Sequence, residues 1–207
     1  ESIGMVKLKA IALNGSLKAS SNEQSSTDAL INLLAEKFSG LEIEVSPTIR
    51  LVDHDIKLGV TSDEGSDDAW PEIRDEILAH DILIFGTPIW MGQMSSVAKR
   101  ALERMDAFVE ETDDRGRMPS YSKVAVVAVV GNEDGAHSVA ATAFQALNDT
   151  GFTIPAVAAC YWVGEAMGSV DFKDLKSTPS KIDETAAMVT SNVAHLARLL
   201  KADNYPG

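Results

Sequence analysis

The sequence predicts an α/β fold in which a parallel sheet lies between two layers of helices. Five apolar segments alternate with five amphipathic segments, and four of the five apolar segments contain almost no polar residue. A strand that is apolar on both faces is typical of a parallel sheet, because crossover helices cover both of its faces. The 45% hydrophobic content is also enough to form a core. We therefore expect a doubly wound sheet with helices on both faces.

The five predicted strands cover residues 7–13, 41–46, 82–85, 123–130 and 153–161. The second segment alternates apolar and polar positions, which is typical of a strand near a sheet edge. The third segment is apolar throughout and ends at Gly86-Thr87-Pro88. The fourth is the most apolar of all, so we expect it to be the most buried strand.

The five predicted helices cover residues 27–38, 69–79, 95–109, 135–149 and 179–201. In the first helix, Leu30, Leu34 and Phe38 fall on one face at helical spacing. Ser25 and Asp28 have the spacing of a capping box, which predicts the start of that helix. Pro71 lies in the first turn of the second helix, where proline is tolerated.

Composition and charge exclude several classes of protein. A net charge of −13 and a pI near 4.6 oppose binding to nucleic acid or to anionic lipid. No apolar run approaches the roughly 18 residues that a membrane span requires. The lone Cys160 cannot form an internal disulfide or a CxxC pair, so we expect a core thiol and a cytoplasmic location. We expect residues 1–207 to form one domain, with Met5 as its natural start.

Ligands of doubly wound folds bind beyond the carboxyl ends of the strands, which selects the loops after strands one, three and four. The first strand breaks at Asn14-Gly15-Ser16 into a hydroxyl-rich segment, residues 17–27, which we call the first loop. It leads into a helix N-terminus, where free N–H groups and the helix dipole attract anions. The predicted phosphate ligands are Ser16, Lys18, Ser25, Ser26 and Thr27. The other interpretation is that these serines are plain helix caps.

The loops after strands three and four complete the predicted site. The first of them places an aromatic ring and two thioethers where a polar connection is usual, with candidate residues Pro88, Ile89, Trp90, Met91, Gly92 and Gln93. The loop after strand four, which we call the third loop, has two glycines that let backbone amides approach a flat ligand. Its candidate residues are Gly131, Asn132, Glu133, Asp134 and Gly135. Phosphate donors beside an apolar wall predict a pocket for a flat ring with a phosphate tail, the shape of FMN.

Some of these residues have a second interpretation. Trp90 is either a flavin wall, a subunit contact or a side chain packed under its own loop. Glu133 and Asp134 either meet the flavin edge or serve only as acids at a helix N-terminus. We expect His137 at the surface and assign it no role as an acid.

Other functions are disfavoured by missing patterns. The segment from Asn14 to Thr27 contains a single glycine, Gly15, and so matches neither G-x-G-x-x-G nor the P-loop motif. There is no G-x-S-x-G nucleophile elbow, and the four histidines have no metal-ligand spacing. A phosphorelay receiver needs acids where this chain has Leu13-Asn14 and Phe85-Gly86.

The chain resembles the NADPH-dependent FMN reductase-like oxidoreductases of the flavodoxin fold. The resemblance covers roughly residues 7–165 and rests on Asn14-Gly15-Ser16, on the Thr87 to Gly92 segment and on the third loop. It implies the strand order 2-1-3-4-5, FMN as cofactor and NAD(P)H as co-substrate. The first loop is longer than the G-S-x-R-x-x-S form that is common in these reductases.

These observations predict an FMN-dependent NAD(P)H oxidoreductase that passes reducing equivalents to a small acceptor such as a quinone or free flavin. No general acid or base is assigned, because the flavin carries the redox chemistry. The alternative from another class is a non-enzymatic electron-transfer protein. An enzyme must leave one flavin face open to the nicotinamide, whereas a carrier exposes only the ring edge.

Two long connections, residues 51–70 and 110–122, predict self-association. Connections within a compact domain are usually about 4–6 residues long, so these segments need another role. Trp70, Met118 and Tyr121 are the expected apolar anchors of an interface. We expect a homodimer or homotetramer with the flavin site near the subunit boundary.

Overall fold

The computed structural model describes residues 7–207, so the predicted start at Met5 lies outside the described residues. The strands within this range are β1 (Lys9–Asn14), β2 (Glu44–Val45), β3 (Ile49–Arg50), β4 (Ile82–Trp90), β5 (Gln93–Met94), β6 (Val124–Gly131) and β7 (Ala159–Val163). The α-helices are α1 (Ser26–Gly40), α2 (Trp70–Leu78), α3 (Ser96–Met105), α4 (Ala136–Asp149) and α5 (Ser180–Ala202).

The sheet has the predicted doubly wound topology. Its strands lie in the order β2-β1-β4-β6-β7 and run parallel, which corresponds to the predicted order 2-1-3-4-5. The short β3 pairs with the end of β1, where Asn14 lies opposite Arg50. The short β5 runs antiparallel to the end of β4. The flavodoxin-like fold class is therefore confirmed.

Two hydrophobic cores, one on each face of the sheet, explain the wholly apolar strands. In β4, Leu83 and Phe85 belong to one core while Ile82 and Ile84 belong to the other. Helices α1 and α5 cover one face, and α2, α3 and α4 cover the opposite face. Cys160 is buried, as predicted, and its burial raises the pKa of the thiol to about 12.

Several predicted boundaries were wrong. The second predicted strand is only two residues long, and the fifth begins at Ala159 because Thr153 forms no more than an isolated bridge to Val124. Between Thr153 and Ala159, Pro155 lacks a donor N–H and Val157 has a φ of 53°, so the chain turns before the fifth strand starts. The third predicted helix ends at Met105 and continues as a 3₁₀ turn, Asp106–Val109.

The connection between β3 and α2 is held by a buried ion pair. Nη2 of Arg104 lies 2.7 Å from Oδ2 of Asp68, and both side chains are 0% exposed. Trp70, predicted as an apolar anchor for a partner, is also 0% exposed, so that prediction was wrong. Its ring packs in this chain's own core, with the Arg104 guanidinium 5.8 Å from the ring centroid. No helix within residues 7–207 is long and apolar enough to cross a bilayer.

Candidate functional site

A cavity of about 540 Å³ lies at the carboxyl ends of the central strands. Most of the predicted site residues line it: Ser16, Lys18, Ser25, Ser26, Thr27, Pro88, Ile89, Trp90, Met91, Gly131, Asn132 and Glu133. Gly92, Gln93, Asp134 and Gly135 were predicted as site residues and are not part of the lining. The fold thus brings the first loop, the β4 segment and the third loop around one space.

Asn14, the last residue of β1, organises the first loop. Its Oδ1 accepts a hydrogen bond from the Ser16 N–H at 2.8 Å, and its Nδ2 donates to Oδ1 of Asp28 at 2.6 Å. Ser25 is the N-cap of α1 and forms the predicted capping box with Asp28, so the capping prediction is confirmed. Ser26 and Thr27 therefore occupy the first helical positions, with their N–H groups at the end of the helix that attracts anions.

A buried arginine on the neighbouring strand β3 also fixes the first loop. Arg50, on β3, forms an ion pair with Asp28, and its Nη1 donates to the Lys18 carbonyl at 2.5 Å. The Arg50 side chain is only 8% exposed. Because Asp28 offsets its charge, Arg50 acts mainly on the position of the loop. Sequence reasoning missed this residue because a two-residue strand leaves no periodic signal.

Two lysines converge on one carboxylate beside the helix terminus. Nζ of Lys18 lies 2.8 Å from Oε1 of Glu23, and Nζ of Lys173 lies 2.9 Å from Oε2. Hydrogen bonds from Lys18 and Lys173 lower the pKa of Glu23 to about 2. The Lys173 N–H also donates to Oγ of Ser26 at 3.3 Å. Lys173, which was not predicted, therefore adds positive charge next to the first loop.

The predicted loop after strand three is a β-hairpin. Met91 and Gly92 form its turn with φ values of 51° and 72°, the signs that a type I′ turn requires. Glu133 accepts a hydrogen bond from the Met91 N–H at 2.6 Å and ties this turn to the third loop. Glu133 thus has a hairpin contact that neither sequence interpretation anticipated. Trp90 is 51% exposed and lies on the cavity wall, so it is not packed under its own loop.

The glycines of the third loop make room for the hairpin. A Cβ on Gly135, whose φ is 130°, would lie 2.8 Å from the Cα of Gly92. A Cβ on Gly131 would lie 3.0 Å from the Cβ of Ile89. The absence of a side chain at these two positions therefore allows the hairpin to pack against the third loop. As expected, His137 is exposed; its Nε2 lies 3.0 Å from the Tyr161 hydroxyl.

A further wall of the cavity was missed. It begins at Trp162, near the end of β7, and continues after the strand with Met167, Asp171 and Phe172. We call these four residues the C-terminal wall. The rings of Trp162 and Phe172 pack with their centroids 5.6 Å apart. Leu17 and Val130 also line the cavity and were not predicted as site residues. Residues 164–171 have no helical or strand periodicity, so nothing in the sequence placed them at the site.

The lining has the chemistry that FMN requires. At one end lie hydroxyl groups, the N-terminus of α1 and Lys18, which together suit a phosphate. Lys173 lies beside this end, outside the lining, and is paired with Glu23. At the other end Ile89, Trp90 and Trp162 offer apolar and aromatic surface to a flat ring. The cavity joins both ends, so the donor set and the shape of the site fit the cofactor.

The fold and this cavity define a flavin-type site of a flavodoxin-like protein, and residues 8–167 match the family described as NADPH-dependent FMN reductase. The chain belongs to that family. This agrees with the resemblance derived from the first loop, the hairpin and the third loop.

Two named relatives match nearly the whole chain. One is the 8-demethyl-8-aminoriboflavin-5'-phosphate synthase of Streptomyces davaonensis, which is 33% identical over 210 residues that cover 96% of this chain and 80% of that protein. The other is named divalent metal cation transporter MntH, from Mycobacterium bovis, and is 35% identical over 205 residues. That match covers 94% of this chain but only 29% of the transporter.

Two solved structures have a fold similar to that of this chain. The structure of RosB with bound 8-demethyl-8-formylriboflavin-5'-phosphate has a TM-score of 0.84 and 31% identity, covering 97% of this chain and 82% of RosB. An apo NADH:FMN oxidoreductase, EmoB, has a TM-score of 0.63 and 18% identity over 93% of this chain and 90% of its own. The second likeness shows the fold alone.

Proposed function

We propose that this protein is an FMN-dependent oxidoreductase that takes a hydride from NADH or NADPH and passes reducing equivalents to a small acceptor such as a quinone or free flavin. The observation that carries the proposal is the single cavity of about 540 Å³ that joins an anion-binding end to an aromatic end. Membership of the FMN reductase family supports the same chemistry. A cytoplasmic location and the absence of nucleic-acid or membrane partners belong to this proposal.

The residues of the chain act by binding and by positioning. FMN, when bound, supplies the hydride-accepting chemistry. Ser26 and Thr27 offer donors to its phosphate, and Lys18 and Lys173 add charge. Ser25 holds the start of the helix, because its N–H and its hydroxyl both donate to Asp28. Trp90 is half-exposed on the hairpin side of the cavity, and we propose that a nicotinamide reaches the flavin from this side. That accessibility favours an enzyme over the alternative of a pure electron carrier.

A second candidate treats FMN as the substrate. It is favoured by the 33% identity, over 96% of this chain, to an enzyme named as a synthase of an aminated riboflavin phosphate. In this second candidate function, the same phosphate end of the cavity would bind FMN, and the reaction would modify the flavin ring itself.

One experiment separates these functions. We expect FMN-loaded protein to oxidise NADH or NADPH with a quinone over many turnovers and to release unchanged FMN, as judged by mass spectrometry of the flavin. A flavin of altered mass would favour the second candidate. An electron carrier would accept electrons from a protein donor but would show no steady-state oxidation of NAD(P)H.

Affinity for the phosphate tests the site itself. A charge-assisted hydrogen bond contributes about 1.5–3 kcal/mol, so loss of the phosphate is expected to weaken binding by well over tenfold. Fluorescence titration with FMN and riboflavin measures the difference. Equal affinities would remove the phosphate role of Ser16, Ser25, Ser26 and Thr27. FAD is expected to bind more weakly than FMN, because its phosphate is not terminal.

We also propose that the protein forms a homodimer or homotetramer. Trp70 is excluded as an anchor, but Leu58 and Val60 are 72% and 55% exposed on the long connection before α2. Val109 follows α3 and is 42% exposed, and Arg74 joins this region to the second long connection through Glu111. Light scattering of FMN-loaded protein at micromolar concentration is expected to give at least twice the monomer mass. A monomer under these conditions would contradict the proposal.

A further inference from the structure

A carboxylate on the C-terminal wall has no part in the function proposed above. Asp171 lines the cavity next to the buried ring of Phe172, on a wall that is otherwise aromatic and apolar. Its Oδ1 accepts a hydrogen bond from Nδ2 of Asn132 at 2.9 Å. Its Oδ2 has no hydrogen-bond partner among residues 7–207. One oxygen is therefore fixed by the protein, and the other remains available to a ligand.

The position of Asp171 is set from two sides. On one side Asn132 belongs to the third loop at the end of β6. On the other side Lys173, two residues further along, donates its N–H to Ser26 at the proposed phosphate end. Asp171 therefore lies between the phosphate end and the end of the central strands, where the middle of an elongated ligand would pass.

The chemistry of a carboxylate restricts what it can meet there. An ionised carboxylate only accepts hydrogen bonds, so its partner must be an O–H or N–H donor. Oxidised FMN has two kinds of donor outside its phosphate, the ribityl hydroxyls and the N3–H of the ring. A ligand with neither would leave Oδ2 of Asp171 without a partner and facing apolar surface, which is unfavourable.

We propose that Asp171, oriented by Asn132, determines specificity by accepting a hydrogen bond from a donor group of the bound flavin, a ribityl hydroxyl or the ring N3–H. This inference rests on the proposed binding of FMN. It assigns a recognition role to a wall that lies outside the motifs of the first loop, the hairpin and the third loop.

The sign of the effect distinguishes recognition from simple electrostatics. A carboxylate near a phosphate site repels the phosphate, so removal of its charge alone would tighten the binding of FMN. Loss of a hydrogen bond to the ligand would weaken it. Asp174 offers a matched control, because it is exposed and ends the 3₁₀ turn, Phe172–Asp174, that begins directly after Asp171.

The experiment compares the dissociation constants of FMN for the wild type, Asp171→Asn, Asp171→Ser and Asp174→Asn, measured by fluorescence titration of folded apoprotein. We expect both Asp171 variants to bind FMN about tenfold to a hundredfold more weakly, the range for hydrogen bonds to a charged group. Asp174→Asn is expected to bind FMN as tightly as the wild type or slightly more tightly. Unchanged or tighter binding by both Asp171 variants would overturn the inference.

N3-methyl FMN identifies which donor is used. If the partner is a ribityl hydroxyl, Asp171→Asn weakens the binding of FMN and of N3-methyl FMN by the same factor. If the partner is the ring N3–H, the wild type binds the methylated flavin weakly and Asp171→Asn adds no further loss. A wild type that binds no FMN would instead refute the proposed function, so the two failures are distinguishable.

Discussion

Two buried arginine–aspartate pairs hold loops in this molecule, and they differ in what they hold. Arg104 and Asp68 are both 0% exposed and lie away from the cavity lining. Arg50 and Asp28 are 8% and 17% exposed and lie directly under the first loop. The same kind of ion pair thus secures the fold in one place and the geometry of the site in the other.

The surroundings of each pair account for this difference. Asp68 accepts two hydrogen bonds from Arg104 and three more from the N–H groups of Lys57, Glu64 and Trp70. Those contacts fold the connection before α2 onto its own helix layer. Arg50 instead reaches the backbone of Lys18, a residue of the cavity wall. Loss of the first pair should therefore affect stability, and loss of the second should affect binding.

The largest effect is expected from Arg104→Met. It leaves the Asp68 carboxylate buried without its partner, and breaking a buried pair in this way costs about 3–5 kcal/mol in the free energy of unfolding. Urea denaturation measures the loss. Lys99→Met on the same helix removes an exposed pair with Glu103 and is expected to cost less than about 1 kcal/mol. Similar losses in the two variants would contradict the structural role of Arg104.

The decrease in the free energy of unfolding at acid pH is a second test of the Arg104–Asp68 pair. Hydrogen bonds from Arg104 hold the pKa of Asp68 well below its ordinary value of 3.8. A carboxylate with a lowered folded-state pKa stabilises the fold above its unfolded pKa, and this contribution is lost as the pH falls below about 4. We expect the unfolding free energy of Asp68→Asn, measured at pH 7, 5 and 3, to fall less steeply toward acid than that of the wild type. The exposed Asp114→Asn should retain the wild-type slope.

The sequence was sufficient for features with a local or periodic signal. The doubly wound parallel sheet follows from apolar strands that alternate with helices, and Ser25 with Asp28 marks the start of α1. The Arg104–Asp68 pair was not predicted, because its contact joins residues 36 positions apart. The acidic run from Asp63 to Asp68 predicts only a solvated face, which is wrong for Asp68, since its side chain is 0% exposed. A tertiary contact of that length has no periodicity to reveal it.

Only part of the candidate site was predicted, for the same reason. The first loop, the hairpin residues and the third loop follow strands with clear apolar patterns, so their convergence could be anticipated. The C-terminal wall follows a strand whose predicted bounds were shifted, and it has no pattern of its own. The hairpin turn was missed because Met91 adopts a positive φ, which is uncommon for a residue other than glycine.

A moderate effect on binding is expected from Arg50→Met. Without the guanidinium, the Lys18 carbonyl and Asp28 lose their buried donor, and the first loop is no longer fixed for the phosphate. We expect FMN affinity to fall about tenfold, the loss of one net hydrogen bond of about 1.5 kcal/mol, while riboflavin affinity changes little. Arg50→Lys keeps the charge but not the two-sided contact, and is expected to restore only part of the binding. A drop in melting temperature with an unchanged FMN to riboflavin ratio would assign Arg50 to stability alone.

The smallest effect is expected from Trp90→Ala, on the hairpin that neither ion pair holds. The indole is half-exposed on the cavity wall, so its removal costs no core packing. One aromatic contact is worth about 0.5–1.5 kcal/mol beyond area burial, which corresponds to a change of roughly threefold to tenfold in FMN affinity or in turnover with NAD(P)H. The emission of bound FMN is expected to brighten, because an indole close to a flavin quenches it. Met91→Ala alters the same turn but keeps the indole, and should leave the emission dim. If Trp90→Ala folds normally and changes neither emission nor turnover, the hairpin is not a flavin wall, and the ring must rest on the C-terminal wall instead.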